Sequence, residues 1–565
     1  MAYKPKKNLF HKLLIQALLA GLCLPLQAFA ATDSAADSTD SKIAQLLTEP
    51  FLQCPTDTSV TVVWFTKTKT NENYVLYGKG LKQKISADTK KLSRMRTFAG
   101  KAVSVYRHEA VITGLPVNKT GNERIPYQAV SDTIKSSTYY LKTKAQPGVP
   151  MRILFTSDSQ VKEMTAANYQ KAVETAGHID AVFYAGDLIN IPDQADEWFP
   201  LTSTDAFFPM LQGTANNTMN GNVYHGGAIL QEAPIYTTPG NHEFMGRCSN
   251  AYDLGLQFND TMPADYGTQD QTFNTISYEE IFNIPSSNGK LYYAETIGDV
   301  RLVVLNVTRT WRSNEVGTKG AYSEDIRDLG NPDTTSGGSY IYEPIKKGSE
   351  QYKWLEAETK TSDFKNAKYR IVMFHHAPHG LGGNIIPAFT DPVRQDIYDT
   401  NGQLAQILYD YPKENDYLLN DLEPLLEQSG VDLVLNGHSH LWNRFRTANG
   451  MNYLETSNVG NTYGAYDAVE NENNNGSRTS RAPSDMTHFN AENYILSGDP
   501  GGLTPITPTI HTQNGVPYIA SSTLTVFSIF NTDTGIVESY WFDTANPDSK
   551  VVKFDSFQAS VIKNN

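Results

Sequence analysis

The sequence is poor in cysteine. Three cysteines occur among its 565 residues, at positions 23, 54 and 248. Small secreted proteins that depend on a disulfide framework carry far more, so the sequence excludes that class. One disulfide between Cys54 and Cys248 stays open, although the two lie far apart in the sequence. A chain of this length is expected to form two or three domains with a substantial hydrophobic core.

The sequence also lacks an excess of basic residues. It has 47 Lys and Arg against 61 Asp and Glu, which gives a net charge of −14. Because non-specific contact with nucleic acid needs a basic surface, we expect no stable nucleic-acid binding. With 39% hydrophobic and 19% charged residues, the composition is that of a globular protein and excludes a largely disordered chain.

Long hydrophobic runs are absent after the N-terminus. There, four lysines precede an apolar segment at 13–26, and the small-x-small pattern that ends at Ala30 follows. The segment is shorter than the ~20 residues of a membrane-spanning helix. We therefore predict a signal peptide at 1–30, cleaved after Ala30, and a secreted or periplasmic protein. Cleavage would change the net charge to −18 and leave no transmembrane segment. An uncleaved membrane anchor is the alternative.

Two kinds of pattern follow a polar linker at 31–44. Residues 45–147 contain short runs of β-branched and aromatic residues separated by turn residues, which predicts an all-β sandwich. At 148–565 apolar strands alternate with helical stretches, one of them at about 195–212. This alternation predicts an α/β domain with ligands at the carboxyl ends of its strands. Two long polar stretches are predicted to be surface insertions, at 309–349 and 466–493.

Metal-competent side chains follow five apolar segments of the second region. Each stretch alone is also typical of a turn or of structural histidines, but the whole set in this order is not expected by chance. Glycines at 186, 240 and 437 allow tight turns beside the polar residues. The stretches are Asp158-Ser-Gln160, Gly186-Asp187, Gly240-Asn241-His242-Glu243, His375-His376 and Gly437-His438-Ser-His440.

These residue types suit a pair of divalent cations. A bridging carboxylate can hold two cations about 3.5–4 Å apart, while imidazole nitrogens and amide oxygens complete their coordination. Asp187 is the candidate for the bridge. In an extended chain alternate residues point to the same side, so His438 and His440 can both reach such a site.

The ordered set of stretches resembles that of the calcineurin-like metallophosphoesterases, from about residue 151 to 461. Within that family the sequence is most similar to the purple acid phosphatase branch. EPFLQCPTDTSVTVVW and HEAVITGLP resemble its fibronectin-III-like N-terminal domain; YYAETIGDVRLVVLNV, QYKWLEAE and GHSHLWNR resemble its catalytic domain. The resemblance implies two domains: a fibronectin-III-like β-sandwich at 45–147 and, at 148–565, a metallophosphoesterase domain whose β-sandwich core is flanked by helices.

The resemblance also implies a role for each candidate residue. His242 matches the histidine that contacts the phosphoryl group and protonates the leaving group. Glu243 and His376 would lie behind the ligands, with Glu243 orienting His242. Two alternatives stay open for His376 and His379, which are that they face the pocket or that they have purely structural roles. The first metal would be held by Asp158, Gln160, Asp187 and His440, and the second by Asp187, Asn241, His375 and His438.

Two positions depart from the coloured members of that branch. Those members place a tyrosine three residues after the bridging aspartate, where its phenolate binds iron(III), whereas this sequence has Asn190. Gln160 stands where the family has histidine. Because both changes introduce a neutral amide, the first site should prefer manganese, magnesium or iron(II). The expected cofactors are two divalent metal ions, with manganese or iron favoured over magnesium or zinc, in a colourless protein.

The expected activity is hydrolysis of a small phosphate ester by in-line attack of a metal-bound hydroxide. A phosphodiesterase or a nucleotidase is the enzymatic alternative. A surface binding protein with a vestigial metal site is the alternative from another class, and the intact ligand set argues against it. Substrate contacts could come from the insertions, for example from Arg309 or Arg312. The sequence indicates neither the physiological substrate nor the oligomeric state.

Overall fold

The fold is that of a computed structural model, which describes residues 46–97, 100–245, 274–285, 289–308, 323–326, 329, 343–381, 389–391, 393–460, 499, 501–510, 517–519 and 523–560. The predicted signal peptide and linker, Arg309, Arg312, Cys248 and the insertion at 466–493 lie outside the described residues, as does most of the insertion at 309–349. None of the helices within the described ranges is long and apolar enough to cross a membrane.

The N-terminal region is built from short antiparallel strands. In the described residues these are β1 (Phe51–Gln53), β2 (Val60–Thr66), β3 (Asn73–Tyr77), β4 (Gln83–Ser86), β5 (Asp88–Lys91), β6 (Tyr106–Ile112), β7 (Ile125–Ser131), β8 (Ile134–Lys135) and β9 (Tyr139–Leu141). One sheet has the order β1-β2-β6-β5, and the other has the order β4-β3-β7-β8 with β9 also on β7. Strands are therefore present where the sequence predicts them. The likeness to a fibronectin-III domain and the domain boundaries stay predictions.

Strand β2 connects this region to the rest of the protein because both of its faces are buried. Trp64 packs with the residues between the two N-terminal sheets, whereas Val63 and Phe65 face a second core. That second core contains aromatic residues of the following region, and the ring of Phe65 lies 4.8 Å from that of Phe199. The described residues between 46 and 560 belong to one compact unit.

Two large sheets form the centre of the second region. The first has the order β14-β11-β10-β25-β26-β27, with β10 (Arg152–Thr156), β11 (Ala181–Tyr184), β14 (Ile235–Thr237), β25 (Leu524–Asn531), β26 (Ile536–Asp543) and β27 (Val552–Gln558). The second has the order β15-β16-β18-β21-β23-β22-β24, with β15 (Tyr293–Ile297), β16 (Val300–Val304), β18 (Tyr369–His376), β21 (Leu433–Gly437), β22 (Trp442–Arg446), β23 (Asn452–Thr456) and β24 (Tyr518–Ile519).

Within each sheet, the strands that precede the candidate metal ligands are parallel to one another. β11 pairs in parallel with both β10 and β14, and β18 pairs in parallel with both β16 and β21. Alternate residues of β10 face opposite sides, as strand geometry requires. Phe155 packs between the two sheets with Leu302 and Met373, whereas Leu154 packs on the outer side with α1 (Thr165–Ala176). The β-sandwich core with helices outside it is thus present.

The described α-helices are short. Besides α1 they are α2 (Ala195–Trp198), α3 (Phe207–Gln212), α4 (Ile276–Ile281), α5 (Glu350–Glu358), α6 (Ser362–Asn366) and α7 (Glu423–Ser429). The prediction of one helix over 195–212 was wrong. The chain forms α2 and α3 instead, and Phe199, directly after α2, is extended. Phe199 precedes Pro200, and the residue before a proline disfavours helical geometry. The remaining strands are β12 (Asn217–Met219), β13 (Asn222–Tyr224), β17 (Ser323–Ile326), β19 (Val393–Tyr398) and β20 (Leu404–Asp410).

Candidate metal centre

The five predicted stretches meet at one edge of the β-sandwich. Three of them follow β10, β11 and β14 in the first sheet, and two lie at the ends of β18 and β21 in the second. Because neighbouring parallel strands end on the same side of a sheet, their following loops converge there. All of the predicted metal ligands are buried: Asp158, Gln160, Asp187, Asn241, His375, His438 and His440.

The backbone at this edge is held in an unusual conformation. Ten non-glycine residues in the described chain have positive φ, and five of them are predicted ligands. A left-handed φ costs an L-residue about 1–2 kcal/mol, and such residues concentrate at functional sites. The surrounding contacts must therefore stabilise these loops. The five ligands are Asp158 (φ 52°), Gln160 (φ 44°), Asp187 (φ 54°), His438 (φ 85°) and His440 (φ 56°).

The glycines beside the ligands serve two different purposes. Gly186 has a φ of +90°, so it makes the tight turn that the sequence suggests. Gly240 and Gly437 do not need a positive φ. They leave room instead, because a Cβ on Gly240 would collide with the Asp187 carboxylate and one on Gly437 with the Asp158 carboxylate. The carboxylates of both predicted aspartate ligands thus lie directly against a glycine backbone.

One group of candidate ligand atoms comes from Asp158, Asp187 and His375, which all lie within 4.8 Å of one another. Nε2 of His375 is 3.2 Å from Oδ2 of Asp187. Nε2 of His440 is 3.2 Å from Oδ1 of Asp158, whose carboxylate also accepts a hydrogen bond from the backbone N–H of His438. The group therefore combines two carboxylates with imidazole nitrogens.

A second group consists of His375, His376 and His438, whose ligand atoms also lie within 4.8 Å of one another. Oδ1 of Asn241 lies 3.1 Å, 3.3 Å and 3.0 Å from ring nitrogens of these three histidines. Consecutive residues of a regular strand point to opposite faces. The register of β18 against β21 shifts between Met373 and His376, and such a bulge re-aims side chains. It allows both adjacent histidines to reach the centre.

The sequence interpretation placed His376 behind the ligands, and the structure groups it with His375 and His438. Its ring centroid is 4.3 Å from that of His438. A bulge has no clear sequence signature, so the strand pattern alone gave no reason to aim both histidines inward. His379 lies apart from these groups. Its two ring nitrogens are 2.6 Å from Asp499 and 2.8 Å from Glu423.

The electrostatics of the centre favour positive charge. Burial opposes an imidazolium, yet Asp187 and Asp158 raise the pKa of His375 to about 10. Burial would also raise the pKa of the Asp187 carboxyl, but His375 and His242 hold it well below its ordinary value. Nδ1 of His375 donates to the carbonyl of Ala185 at 2.7 Å, so Nε2 of a neutral ring directs a lone pair at the oxygens of Asp187 and Asn241. A proton or a cation between them removes the repulsion.

His242 lies at the border of the centre. Its backbone N–H donates to Oδ1 of Asp187 at 3.0 Å, and Nδ1 donates to the carbonyl of Asn190 at 2.9 Å. Its Nε2 is 3.8 Å from Oδ2 of Asp187. Because Asn190 fixes the proton on Nδ1, the neutral ring presents an unprotonated Nε2 on the Asp187 side. Burial lowers the pKa of His242.

Glu243 has different partners from those expected. Its carboxylate accepts hydrogen bonds from the backbone N–H groups of Asp187, Leu188 and Gly240, at 2.7–2.9 Å. It therefore fixes the loop that carries Asp187, whereas the sequence interpretation had it orienting His242. Burial, together with the nearby Asp187 carboxylate, raises the pKa of Glu243 to about 8.

A second buried carboxylate, Glu197, was missed in the sequence. It accepts hydrogen bonds from the backbone N–H groups of Asn190 (2.5 Å) and Ile191 (3.2 Å). Asn190 in turn donates from Nδ2 to the carbonyl of Gln160 at 2.8 Å. Asn190 thus links Gln160 to His242. A glutamate in a helix of four residues carries no sequence signature of this kind, so only the fold identifies its role.

The fold and these groups define a β-sandwich protein with a buried aspartate–histidine cluster that could hold metal ions. The family model for calcineurin-like phosphoesterases matches residues 151–441, more than half of the chain, and the protein belongs to this family. Over 108 residues the chain is 29% identical to purple acid phosphatase 18 of Arabidopsis thaliana. That match spans about a fifth of either protein, 19% of each.

One solved structure supports a relationship to purple acid phosphatases at the level of the fold. A purple acid phosphatase, PPD1, from seeds of yellow lupin (Lupinus luteus) is 15% identical, with a TM-score of 0.53 over 90% of this chain and 74% of its own. A structure of PhoD is 13% identical, with a TM-score of 0.49 over 91% and 90% of the two chains. The predicted family and its resemblance to purple acid phosphatases are confirmed, and the family indicates a metal-dependent phosphoester hydrolase.

Proposed function

We propose that this protein hydrolyses phosphate esters at a centre of two divalent cations. The observation that carries the proposal is the pair of ligand groups that share His375, one rich in carboxylate and the other rich in histidine. Carboxylate and amide oxygens combined with imidazole nitrogens suit manganese, iron or zinc, and the oxygen-rich part also suits magnesium. The lone pair that His375 directs at Asp187 and Asn241 is a further reason to place a cation between them.

We assign the ligands from these groups. Asp187 lies where both cations could share it, within 3.2 Å of His375. The bound cations would stabilise negative charge on the phosphoryl oxygens and activate water for in-line attack. The first cation is assigned to Asp158, Gln160, Asp187 and His440, and the second to Asp187, Asn241, His375, His376 and His438.

The chain's own residues position this chemistry. Asn190 holds the proton of His242 on Nδ1, so that Nε2 faces the side where Asp187 lies. From there a protonated Nε2 can donate to the leaving oxygen, which general acid catalysis requires. Glu243 fixes the backbone of the Asp187 loop through three hydrogen bonds. The substrate class that we propose is a small phosphate monoester.

Metal analysis combined with an assay of two aryl phosphates tests this function. We expect about two equivalents of manganese or iron in the purified protein, and faster hydrolysis of p-nitrophenyl phosphate than of bis(p-nitrophenyl) phosphate. Faster hydrolysis of the bis-ester would make it a phosphodiesterase. Failure to hydrolyse either ester at full metal content would favour a binding protein with a vestigial site.

The iron-loaded protein should be colourless, because Asn190 replaces the tyrosine that colours relatives, and its visible spectrum checks this.

We also propose that the protein is exported, with the leader at 1–30 removed after Ala30. The mature chain is proposed to consist of an N-terminal domain at 45–147 and a catalytic domain at 148–565. The lysine-rich start, the apolar segment and the small residues before position 31 support export. N-terminal sequencing of the protein from the periplasm or the medium tests it. A mature N-terminus at Ala31 is expected, and an intact leader on a membrane-bound protein would contradict it.

A further inference from the structure

Charge is distributed unevenly along this acidic chain. Residues 67–91 contain seven lysines and two acidic residues, whereas the whole protein has a net charge of −14. The segment runs from the end of β2 through β3, β4 and β5. Lys90 forms an ion pair with Glu280 at 3.2 Å. A surface of net positive charge therefore lies in the N-terminal region, and the catalytic activity proposed above does not use it.

A cleft of about 820 Å³ opens within this segment. It lies between β4 and β5, which are edge strands of the two N-terminal sheets. Lys69, Lys84 and Lys91 line it, and all three are exposed. They form no ion pair with a carboxylate among the residues that the structure describes. Glu72 and Asp88 line the cleft as well, so its lysines outnumber its carboxylates by one.

The cleft has a floor of ordered polar side chains. Buried Thr70 and Asn73 line it, and the hydroxyl of Thr70 donates to Oδ1 of Asn73 at 2.6 Å. Nδ2 of Asn73 lies 3.2 Å from the hydroxyl of Thr89, which in turn lies 2.8 Å from Nδ1 of His108. His108 is fully buried, and burial lowers its pKa to about 4, so the ring is neutral. A satisfied network of this kind keeps the floor rigid.

Lysines on edge strands also have a simpler explanation, since they prevent the edges from pairing with other chains. That explanation accounts for the exposed lysines along β4 and β5. It does not account for a cleft of this volume, or for buried amide and hydroxyl groups at its base. The lysines outside the cleft allow protection of the strand edges to be tested against a binding function of the cleft.

We propose that this cleft binds an acidic oligosaccharide, one that carries sulfate or carboxylate groups. The ammonium groups of Lys69, Lys84 and Lys91 outnumber the carboxylates of Glu72 and Asp88 in the cleft, and this positive excess matches the negative charges of such a saccharide. Small hydroxyl and amide side chains, such as those of Asn71 and Ser86, match its sugar hydroxyls. A single-stranded nucleic acid fits less well, because it needs open aromatic faces for its bases. Here Lys84 already covers the ring of Tyr74 at 3.7 Å.

Calorimetric titration of the full-length, metal-loaded protein tests this proposal. The probes are a sulfated heparin tetrasaccharide, a tetragalacturonate, neutral cellotetraose and an oligothymidylate. We expect at least one acidic saccharide to bind at least about tenfold more tightly than cellotetraose and the oligothymidylate. Binding should weaken with added salt, because exposed charges are screened.

Two triple variants of equal charge form the matched comparison. Lys69→Ala, Lys84→Ala and Lys91→Ala remove the cleft lysines, whereas Lys67→Ala, Lys79→Ala and Lys82→Ala remove three exposed lysines outside it. The cleft variant should weaken binding of the acidic saccharide at least about tenfold, and the control variant less than about threefold. Thr89→Val, which keeps all charges, should weaken it as well. Hydrolysis of p-nitrophenyl phosphate should be unchanged in both triple variants.

Three outcomes would overturn the proposal. They are no saccharide binding by the wild type, equal losses in both triple variants, and tighter binding of the oligothymidylate than of any saccharide. Equal losses would mean that the lysines act only as a diffuse charge. Because these measurements record binding and not turnover, they are independent of whether the protein proves to be a phosphatase.

Discussion

The two halves of the candidate metal centre are held in different ways. The first half, defined as Asp158, Gln160 and His440, lies entirely on backbone with left-handed φ. The second half is defined as Asn241, His375, His376 and His438. There, the adjacent histidines are the last residues of β18, an eight-residue strand that is buried throughout, and His438 is the one member with a positive φ. Asp187 lies between the halves.

This difference indicates where the centre should be sensitive to mutation. A strand inside a sheet keeps its geometry through many hydrogen bonds, so the second half should depend mainly on the ligands themselves. The first half depends on Asn190, which donates to the carbonyl of Gln160 and is itself held by the carboxylate of Glu197. Residues that never contact a cation should therefore affect the first half more than the second.

Removal of the Asp187 side chain should have the largest effect. Asp187→Ala takes away the carboxylate that both cations would share, so we expect turnover to fall at least about a thousandfold. The fold should survive, because the surrounding strands keep their cores. Hydrolysis of p-nitrophenyl phosphate and circular dichroism measure the two effects. Turnover at the wild-type rate in a folded Asp187→Ala protein would refute the assignment.

Glu243 tests the support of the Asp187 loop. In Glu243→Gln one carboxylate oxygen becomes an amide nitrogen, which would face backbone N–H groups that now have no acceptor. A buried donor left unsatisfied costs about 1–3 kcal/mol, and loss of such support weakens metal binding by about 10–100-fold. Urea unfolding and titration with Mn²⁺ measure both effects. Unchanged Mn²⁺ affinity would show that the loop keeps its shape without this carboxylate.

His376 and His379 form a matched pair for the second half. His376 lies among the ligand groups, whereas His379 is three residues further along and pairs with Glu423 and Asp499. We expect His376→Ala to weaken Mn²⁺ binding by about tenfold or more, and His379→Ala to change it less than about threefold. Equal Mn²⁺ affinities in the two variants would indicate that His376 has a structural role and does not bind a cation.

The comparison also shows what the sequence could and could not reveal. Strand ends followed by Asp, Asn and His are visible as patterns, which is why the buried aspartate–histidine cluster and the sandwich core were predictable. The bulge in β18, the hydrogen bonds of Glu243 and the role of Glu197 were not. Each depends on backbone geometry between segments that are distant in sequence, and no local pattern encodes such geometry. For the same reason one helix was predicted at 195–212 where the structure has two.

The His379 ion pairs should make stability depend on pH. Burial alone would lower the pKa of His379, but Asp499 and Glu423 raise it to about 9 from an ordinary value near 6.5. The resulting stabilisation, of order 3 kcal/mol, is fully present below pH 6.5 and is lost as the pH rises through about 9. His379→Gln should therefore be less stable than the wild type at pH 6, and the difference should shrink by pH 9.5. Urea unfolding at both pH values measures this. A constant difference would contradict it.

The smallest effect, and the sharpest test of the two halves, should come from Asn190. Asn190→Ala removes the hydrogen bond to the carbonyl of Gln160 but keeps the main-chain carbonyl that accepts from His242. We expect one of the two Mn²⁺ binding steps to weaken by roughly three- to tenfold, with turnover at saturating Mn²⁺ nearly unchanged.

Combining this variant with His376→Ala shows whether the halves are independent. If each variant affects a different half, their free-energy changes in Mn²⁺ binding should add within about 0.5 kcal/mol. A larger coupling would mean that Asn190 and His376 act on the same cation, and the division into two halves would fail. Additive effects, with the loss from Asn190→Ala confined to one binding step, would assign the strained loops to the first cation and the bulged strand to the second.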